Sequence, residues 1–290
     1  VPFADVKRLI RDHYDAGGVN TVCWHAANPV HESDSWDVTP AVHRILPGGD
    51  LHARYRSTLD ALADRLLDLR GSDGRPIPVL FRPFHEMNGS WYPYGGQPVR
   101  YTNAFRRMAE AIHAIGPNAG MVWGVANYQG YPFSYTGKDL AGYLSTSPHG
   151  TEADFNAMDT NNDGVLTGDD DPYGPYYPGD EHVDWVGSSV YHTDNQWPPD
   201  SNNSVPYNRK LTLLLTGFGV SQNDFYTRFA EDRQKPMMLP ETSAAYVPSW
   251  GGASDSAVKA AWIDQLYHSG PTTAKAESMP VRYPWIKAIG

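Results

Sequence analysis

The sequence predicts an α/β protein built on a parallel sheet, folded as an incomplete (β/α)8 TIM barrel. Two observations carry this. Short apolar runs alternate with amphipathic stretches along all 290 residues, the pattern of repeated strand–helix units. Polar residues end four separate runs, at His25, Glu86, Tyr191 and Glu241. A barrel collects functional groups at the carboxyl ends of many strands. An open doubly wound sheet, the other solution, uses only one or two switch-point loops.

The elements follow in order. Val19 to His25 (VNTVCWH) reads as a buried strand, followed by a loop with Asn28-Pro29 and Pro47-Gly48-Gly49. Leu59, Leu62, Leu66 and Leu69 recur at helical spacing. Pro78 to Glu86 (PVLFRPFHE) is the second strand. Phe105, Met108, Ile112 and Ile115 mark a helix that Gly116-Pro117 stops. Gly120 to Ala126 and Val183 to Tyr191 are the third and fourth strands. A helix over Asn223 to Glu231 leads to a fifth strand, Pro236 to Glu241. A helix over Ser256 to His268 precedes a sixth apolar run, Trp285 to Gly290. Six runs fall short of the eight of a closed barrel, so the expected barrel lacks its beginning and its very end. No internal repeat or low-complexity linker divides the chain, and residues 1–290 read as one catalytic barrel domain.

Composition narrows the function classes. The net charge of −10 argues against a nucleic-acid partner, which calls for a basic face. No apolar run approaches the roughly 20 residues of a membrane span. Val1 to Ile10 show no signal peptide. The single cysteine, Cys23, excludes an internal disulfide and a thiolate metal site, and its apolar run predicts a buried, inert thiol. Nine Trp and eighteen Tyr suit stacking on sugar rings, although aromatic side chains also dominate ordinary cores.

Glu86 and Glu241 each end an apolar run and can project into one cleft. Glycoside cleavage with retention requires such a pair, one carboxyl donating a proton and the other attacking, about 5 to 5.5 Å apart. Burial suits the acid, and a donor such as Tyr191 suits an ionised nucleophile. His85 and Arg82 stand close enough in sequence to tune the pair. His85 and Glu86 should point to opposite sides unless the strand end bends. Two other chemistries stay open on pattern alone. His25, His85 and His192 follow apolar runs and suggest a metal, but no H-x-H or H-E-x-x-H spacing occurs. A serine triad lacks its G-x-S-x-G.

Phe81 to Gly95 (FRPFHEMNGSWYPYG) strongly resembles glycoside hydrolase family 26, a family of retaining (β/α)8-barrel enzymes that are mainly β-mannanases, with some acting on β-1,3-xylan or mixed-linkage glucan. The signature R-P-x-H-E-x-N-G falls on Arg82, Pro83, His85, Glu86, Asn88 and Gly89. The resemblance implies Glu86 as acid/base and Glu241, in Pro240-Glu241-Thr242, as nucleophile. It implies substrate contacts at Trp24, His25, Arg82, His85, Asn88, Trp91, Trp123 and Tyr191. Val19 to His25 then becomes the third strand, so the first two lie before residue 1 and the eighth is cut short. Two departures concern specificity. The family's W-Y-W-W-G is here Trp91-Tyr92-Pro93-Tyr94-Gly95, and an aspartate common two residues before the sixth-strand tyrosine is Ser189. The expected activity is endo-β-1,4-mannanase, with the other two β-glycans or a non-catalytic carbohydrate-binding barrel as alternatives. The expected protein is a secreted monomer that acts on polysaccharide without a catalytic cofactor.

Asp159-Thr160-Asn161-Asn162-Asp163-Gly164 opens a twelve-position pattern ending at Asp170 that resembles an EF-hand loop. Asp159, Asn161, Asp163 and Asp170 supply hard oxygen donors at positions 1, 3, 5 and 12, and Val165 its carbonyl. A structural Ca²⁺ is expected in this insertion, residues 159–170, although helical flanks are not evident. One loop without a duplicate argues against dockerin-type binding.

Overall fold

The computed structural model describes residues 3–24, 28–31, 36–114, 116, 118–147, 150–193, 202–267 and 279–290. His25 lies outside them. Six parallel strands form the main row of one curled sheet: β1 (Asn20–Trp24), β2 (Val79–Pro83), β3 (Ala119–Ala126), β4 (Trp185–His192), β5 (Met237–Leu239) and β6 (Ile286–Ile289), and a short seventh segment, Thr242–Ala244, pairs with β4 beside that row. Each pairs with its sequence neighbour. Among the described residues β1 and β6 do not pair, so the sheet stays open between them.

Every one of the six apolar runs overlaps one of these strands, with ends differing by a few residues. β2 and β3 are almost wholly buried, as expected of strands covered on both faces. β1 differs from the expectation. Its residues alternate between buried and exposed, because it is an edge strand with one flank open. For the same reason Cys23 is exposed rather than buried.

The helices Phe3–Asp15, His52–Leu67, Pro98–His113 and Asp255–Tyr267 surround the sheet. Pro98–His113 begins at a proline, which loses no hydrogen bond in a first turn. It buries Tyr101, Ala104, Phe105, Met108, Ala109 and Ile112 along one stripe. Helix Glu152–Met158 was not evident from periodicity. It is seven residues long and starts in a capping box, with Thr151 and Asp154 exchanging bonds. It leads directly into the Asp159 loop, which therefore does have a helical flank on its entering side. The expected helix over Asn223 to Glu231 is a π-helical turn, Tyr226–Glu231.

Strand alternation separates the two faces of the sheet. Outward, Phe81, Met121, Trp123 and Val125 join the large core under the helices. Inward, Leu80, Val122 and Met238 form a small apolar floor of their own. Above that floor Arg82, Gly124 and Ser189 meet, since a Cβ on Gly124 would lie 2.5 Å from Arg82 Nε and Ser189 bonds the same guanidinium. The functional layer thus rests on a packed base.

Trp123 corrects the sequence reading. It is fully buried, donates from Nε1 to the Tyr176 carbonyl at 3.1 Å, and packs on Phe225, Phe229 and Tyr177. Its place on the outward face of β3 keeps it from any sugar. We expect Trp123→Ala to lower unfolding free energy by about 3–5 kcal/mol in urea titration. A variant as stable as the parent that lost carbohydrate binding would return Trp123 to the binding surface.

Candidate active site

Two departures from regular strand geometry build the site. β2 ends at Pro83, and Phe84 and Glu86 then adopt left-handed backbone, with φ of 46° and 56°. Non-glycine residues hold that conformation only where their surroundings enforce it. Here the Glu86 N–H bonds the Gly124 carbonyl at 2.7 Å, and Gly89 N bonds the Glu86 carbonyl at 3.0 Å. The chain coils at the strand end, which frees adjacent His85 and Glu86 from simple alternation. His85 is buried, with Nε2 3.1 Å from the Tyr92 hydroxyl. Glu86 reaches the surface layer and accepts from Trp91 Nε1 at 3.0 Å.

The second departure lies after β5. β4 pairs Val186 with Met237 and, further on, Val190 with Thr242. Four steps along β4 thus face five along its neighbour, a β-bulge spanning Leu239 to Glu241. Pro240 has no N–H to offer the ladder and sits within the bulge. Beyond it Thr242–Ala244 resumes pairing with β4. The bulge re-aims Glu241, whose backbone carbonyl still accepts from Val190 N at 2.9 Å.

Glu241 is held by two donors. Arg82 Nη1 bonds Oε1, and the Tyr191 hydroxyl bonds Oε2 at 2.7 Å. The Arg82 side chain is fully buried, while that of Glu241 is 37% exposed. Burial opposes ionisation of Glu241, but the Arg82 guanidinium, the Tyr191 hydroxyl and the charge of His85 outweigh it and hold the carboxyl below its ordinary range. The Tyr191 phenol is pushed up by burial, by its bond to Glu241 and by the charges of Glu241 and Glu86. Tyr92 is likewise raised, by burial first and then by both glutamates. Both carboxylates therefore act on the same pair of phenols, which puts them in one electrostatic neighbourhood.

The chain is similar in sequence and fold to known proteins. The sequence profile of glycosyl hydrolase family 26 matches residues 4–134, the stretch that contains Arg82, His85 and Glu86. That part of the chain is similar to glycosyl hydrolase family 26. It is 26% identical over 283 residues to a mannan endo-1,4-beta-mannosidase of Bifidobacterium adolescentis, a match covering 87% of this chain and 25% of that protein. The mannan endo-1,4-beta-mannosidase A and B of Caldalkalibacillus mannanilyticus is 26% identical over 218 residues, 69% of this chain and 33% of the relative. The chain thus spans about a quarter to a third of the length of these curated relatives. A Cellulomonas fimi endo-beta-1,4-mannanase double mutant shares the fold at a TM-score of 0.64 and 22% identity, over 99% of this chain and 51% of that one. A family 26 beta-mannanase from Bacteroides ovatus does so at 0.56 and 23%, over 99% and 74%. The sheet is accordingly six strands of a (β/α)8 architecture.

Within the family 26 signature the residues part into two groups. Arg82, His85, Glu86, Trp91, Tyr191 and Glu241 come together at the carboxyl end of the sheet. Asn88 does not face substrate. It is buried, donates to the Ala126 carbonyl at 2.8 Å and accepts from Ala126 N at 2.9 Å, tying the loop after β2 to the end of β3. Trp24 also corrects the sequence reading. It packs against Phe81 and Phe84, with centroids 6.4 Å away in each case. That is the face opposite Cys23, whose Sγ lies 3.8 Å from Arg82 Nη1.

Sequence reasoning missed Gly124 and Ser189 as parts of the site, though Ser189 stood out as a departure from the family pattern. It also missed Trp36, which is 63% exposed and stacks on Tyr92 at 5.5 Å.

The Asp159 loop has the backbone of a cation-binding turn. Asp159 accepts from Asp163 N and Gly164 N at 3.1 and 3.0 Å. Asp163 accepts from Val165 N at 2.9 Å, and Asp170 from Thr160 N and Thr167 N at 2.8 Å each. Gly164 takes φ of 84°, as the sharp turn requires. Asp159 and Asp170 are buried, and neither has an ion-pair partner among the described residues. No group of three or more His, Cys, Asp or Glu side chains converges among those residues, so a cation there would depend on Asn161 and the Val165 carbonyl as well.

The Glu241 environment makes stability depend on pH. Its folded pKa is depressed, so its contribution is present above the unfolded value of about 4.3 and disappears as pH falls through the folded value. We expect the stability gap between the parent and Glu241→Gln to narrow as pH falls from about 5 to about 3 in urea titrations. A gap that stays constant across that range would contradict the ion pair.

Proposed function

We propose that this chain is the catalytic barrel of a retaining endo-β-1,4-mannanase, with Glu86 as general acid/base and Glu241 as nucleophile. The observation that carries the reading is Glu241 held ionised between Arg82 and Tyr191 while Glu86 shares its surroundings. An ionised carboxylate with directed donors is a poised nucleophile, and the second carboxyl accepts from the neutral Trp91 N–H. The names of the curated relatives support mannan as the substrate.

In the first step Glu86 donates its proton to the glycosidic oxygen as Glu241 attacks the anomeric carbon and the leaving sugar departs. In the second, Glu86 takes a proton from water, whose oxygen attacks the same carbon and releases Glu241. Inversion at each step leaves the configuration retained. Trp91 is half-exposed and offers its ring face to a sugar while its N–H holds Glu86. Tyr191 is 39% exposed and borders the same opening. Mannan is a polymer found outside cells, so the reading includes secretion of the protein to meet an extracellular substrate. No described helix is long and apolar enough to cross a membrane.

The test is a panel of mannan, β-1,3-xylan and mixed-linkage glucan, with products followed by NMR. We expect internal cleavage of mannan with retained configuration. We expect Glu241→Ala to lose on the order of a thousandfold or more in turnover and to recover part of it with added azide, which fills the vacated place. Preference for either other glycan would reassign the substrate, and binding without cleavage would make the barrel a carbohydrate-binding one. Parent-like turnover in Glu241→Ala would remove the assignment.

The same reading includes a structural Ca²⁺ in the loop from Asp159 to Asp170, where two carboxylates are buried and positions 1, 3, 5 and 12 carry oxygen donors. Calorimetric titration with Ca²⁺ should give a saturable signal that Asp163→Ala weakens by at least about tenfold. Indistinguishable traces would dismiss the ion.

A further inference from the structure

Arg82 is bordered by two uncharged residues, Ser189 and Gly124. Its guanidinium lies fully buried above the apolar floor of the sheet. Nη1 bonds Glu241 and lies near Cys23, and Nη2 donates to Ser189 Oγ at 2.8 Å. Ser189 is itself buried. On the remaining side stands Gly124, where a Cβ would come 2.5 Å from Arg82 Nε and 3.4 Å from its Cδ and Cζ. Gly124 does not have positive φ, so the backbone permits a side chain there and only Arg82 forbids it. Glu241 is the one carboxylate paired with Arg82 among the described residues.

We propose that Ser189 and Gly124 are positioning residues for Arg82, and that a neutral side chain at 189 reserves the guanidinium's whole charge for Glu241. Ser189 fixes one end of the guanidinium from β4, and Gly124 leaves the space on β3 that its Nε and Cζ occupy. A carboxylate at position 189 would compete for the same guanidinium and repel Glu241. An apolar side chain at 189 would leave Nη2 without its acceptor inside the protein. The other titratable groups around the pair are Cys23 from β1, His85, Glu86, Tyr92 and Tyr94 from the loop after β2, Tyr101 from helix Pro98–His113, and Tyr191 from β4. Ser189 Oγ is the acceptor that meets Arg82 Nη2, while Cys23 and Glu241 lie at Nη1.

The catalytic meaning of this arrangement rests on Glu241 being the nucleophile, but the arrangement itself can be read without turnover. The experiment follows the ¹³C NMR titration of the Glu241 carboxyl, assigned by its absence in Glu241→Gln. It compares the parent with Ser189→Asp, Ser189→Ala, Ser189→Thr and Gly124→Ala. We expect the Glu241 midpoint to rise by about one pH unit in Ser189→Asp and Gly124→Ala, and by less in Ser189→Ala. Ser189→Thr keeps the hydroxyl and should restore the parent value. On mannan, the acid limb of kcat/KM should move with the midpoint while KM stays within about twofold. Unshifted midpoints in folded Ser189→Asp and Ser189→Ala would overturn the proposal, and these two keep the test intact if Gly124→Ala fails to fold. A chain that shows the shifts yet cleaves no mannan would sink the proposed activity alone.

Discussion

The ion pair between Arg82 and Glu241 is the constraint on which the rest of the site depends. A fully buried guanidinium is costly unless a negative charge and directed acceptors meet it. Arg82 sits at the end of β2, and its partners come from three other strands: Cys23 on β1, Ser189 on β4 and Glu241 after β5. Its place therefore fixes the relative positions of strands that are far apart in sequence. Removing Glu241 would leave the buried Arg82 charge uncompensated, which is why the loop after β5 and the inner face of β4 must stay in register with β2.

Regular secondary structure does not by itself deliver this geometry. The left-handed turns at Phe84 and Glu86 and the extra residue between Met238 and Thr242 each interrupt a strand at its carboxyl end. The bulge turns Glu241 inward, where simple alternation from Met238 would have sent it to the other face, and the left-handed turns release His85 and Glu86 from alternation. Neighbouring contacts hold both glutamates in place: Asn88 on Ala126, Gly124 on the Glu86 amide, and Val190 on the Glu241 carbonyl. Such local strain recurs where function needs a fixed aim. The aromatic ladder Trp36, Tyr92 and Tyr94, stacked at 5.5 and 5.2 Å, buttresses the same loop from outside.

The strands were legible because six apolar runs are short, punctuated by Gly and Pro, and separated by helical spacing such as Leu59, Leu62 and Leu66. Short helices such as Glu152–Met158 were not, since seven residues give too few repeats for a period and their ends are set by side-chain caps. The glutamates were legible because each ends an apolar run within a recognisable motif. Trp123 was misread because its motif position says nothing of which strand face it occupies, and one step of alternation decides between core and cleft. Asn88 was misread because its amide closes on the backbone of β3, a partner some forty residues along the chain. Gly124 and Ser189 carry no chemical signal of their own and become meaningful only once Arg82 is seen against them.

Trapping the covalent intermediate addresses the central claim most directly. A mannobiosyl fluoride with fluorine at C2 of the reacting sugar should form the glycosyl-enzyme and release it slowly. Digestion and mass spectrometry should then find the sugar esterified to the peptide containing Glu241. Label on any other residue, or a product of inverted configuration with no label at all, would contradict a nucleophile clamped by Arg82 and Tyr191.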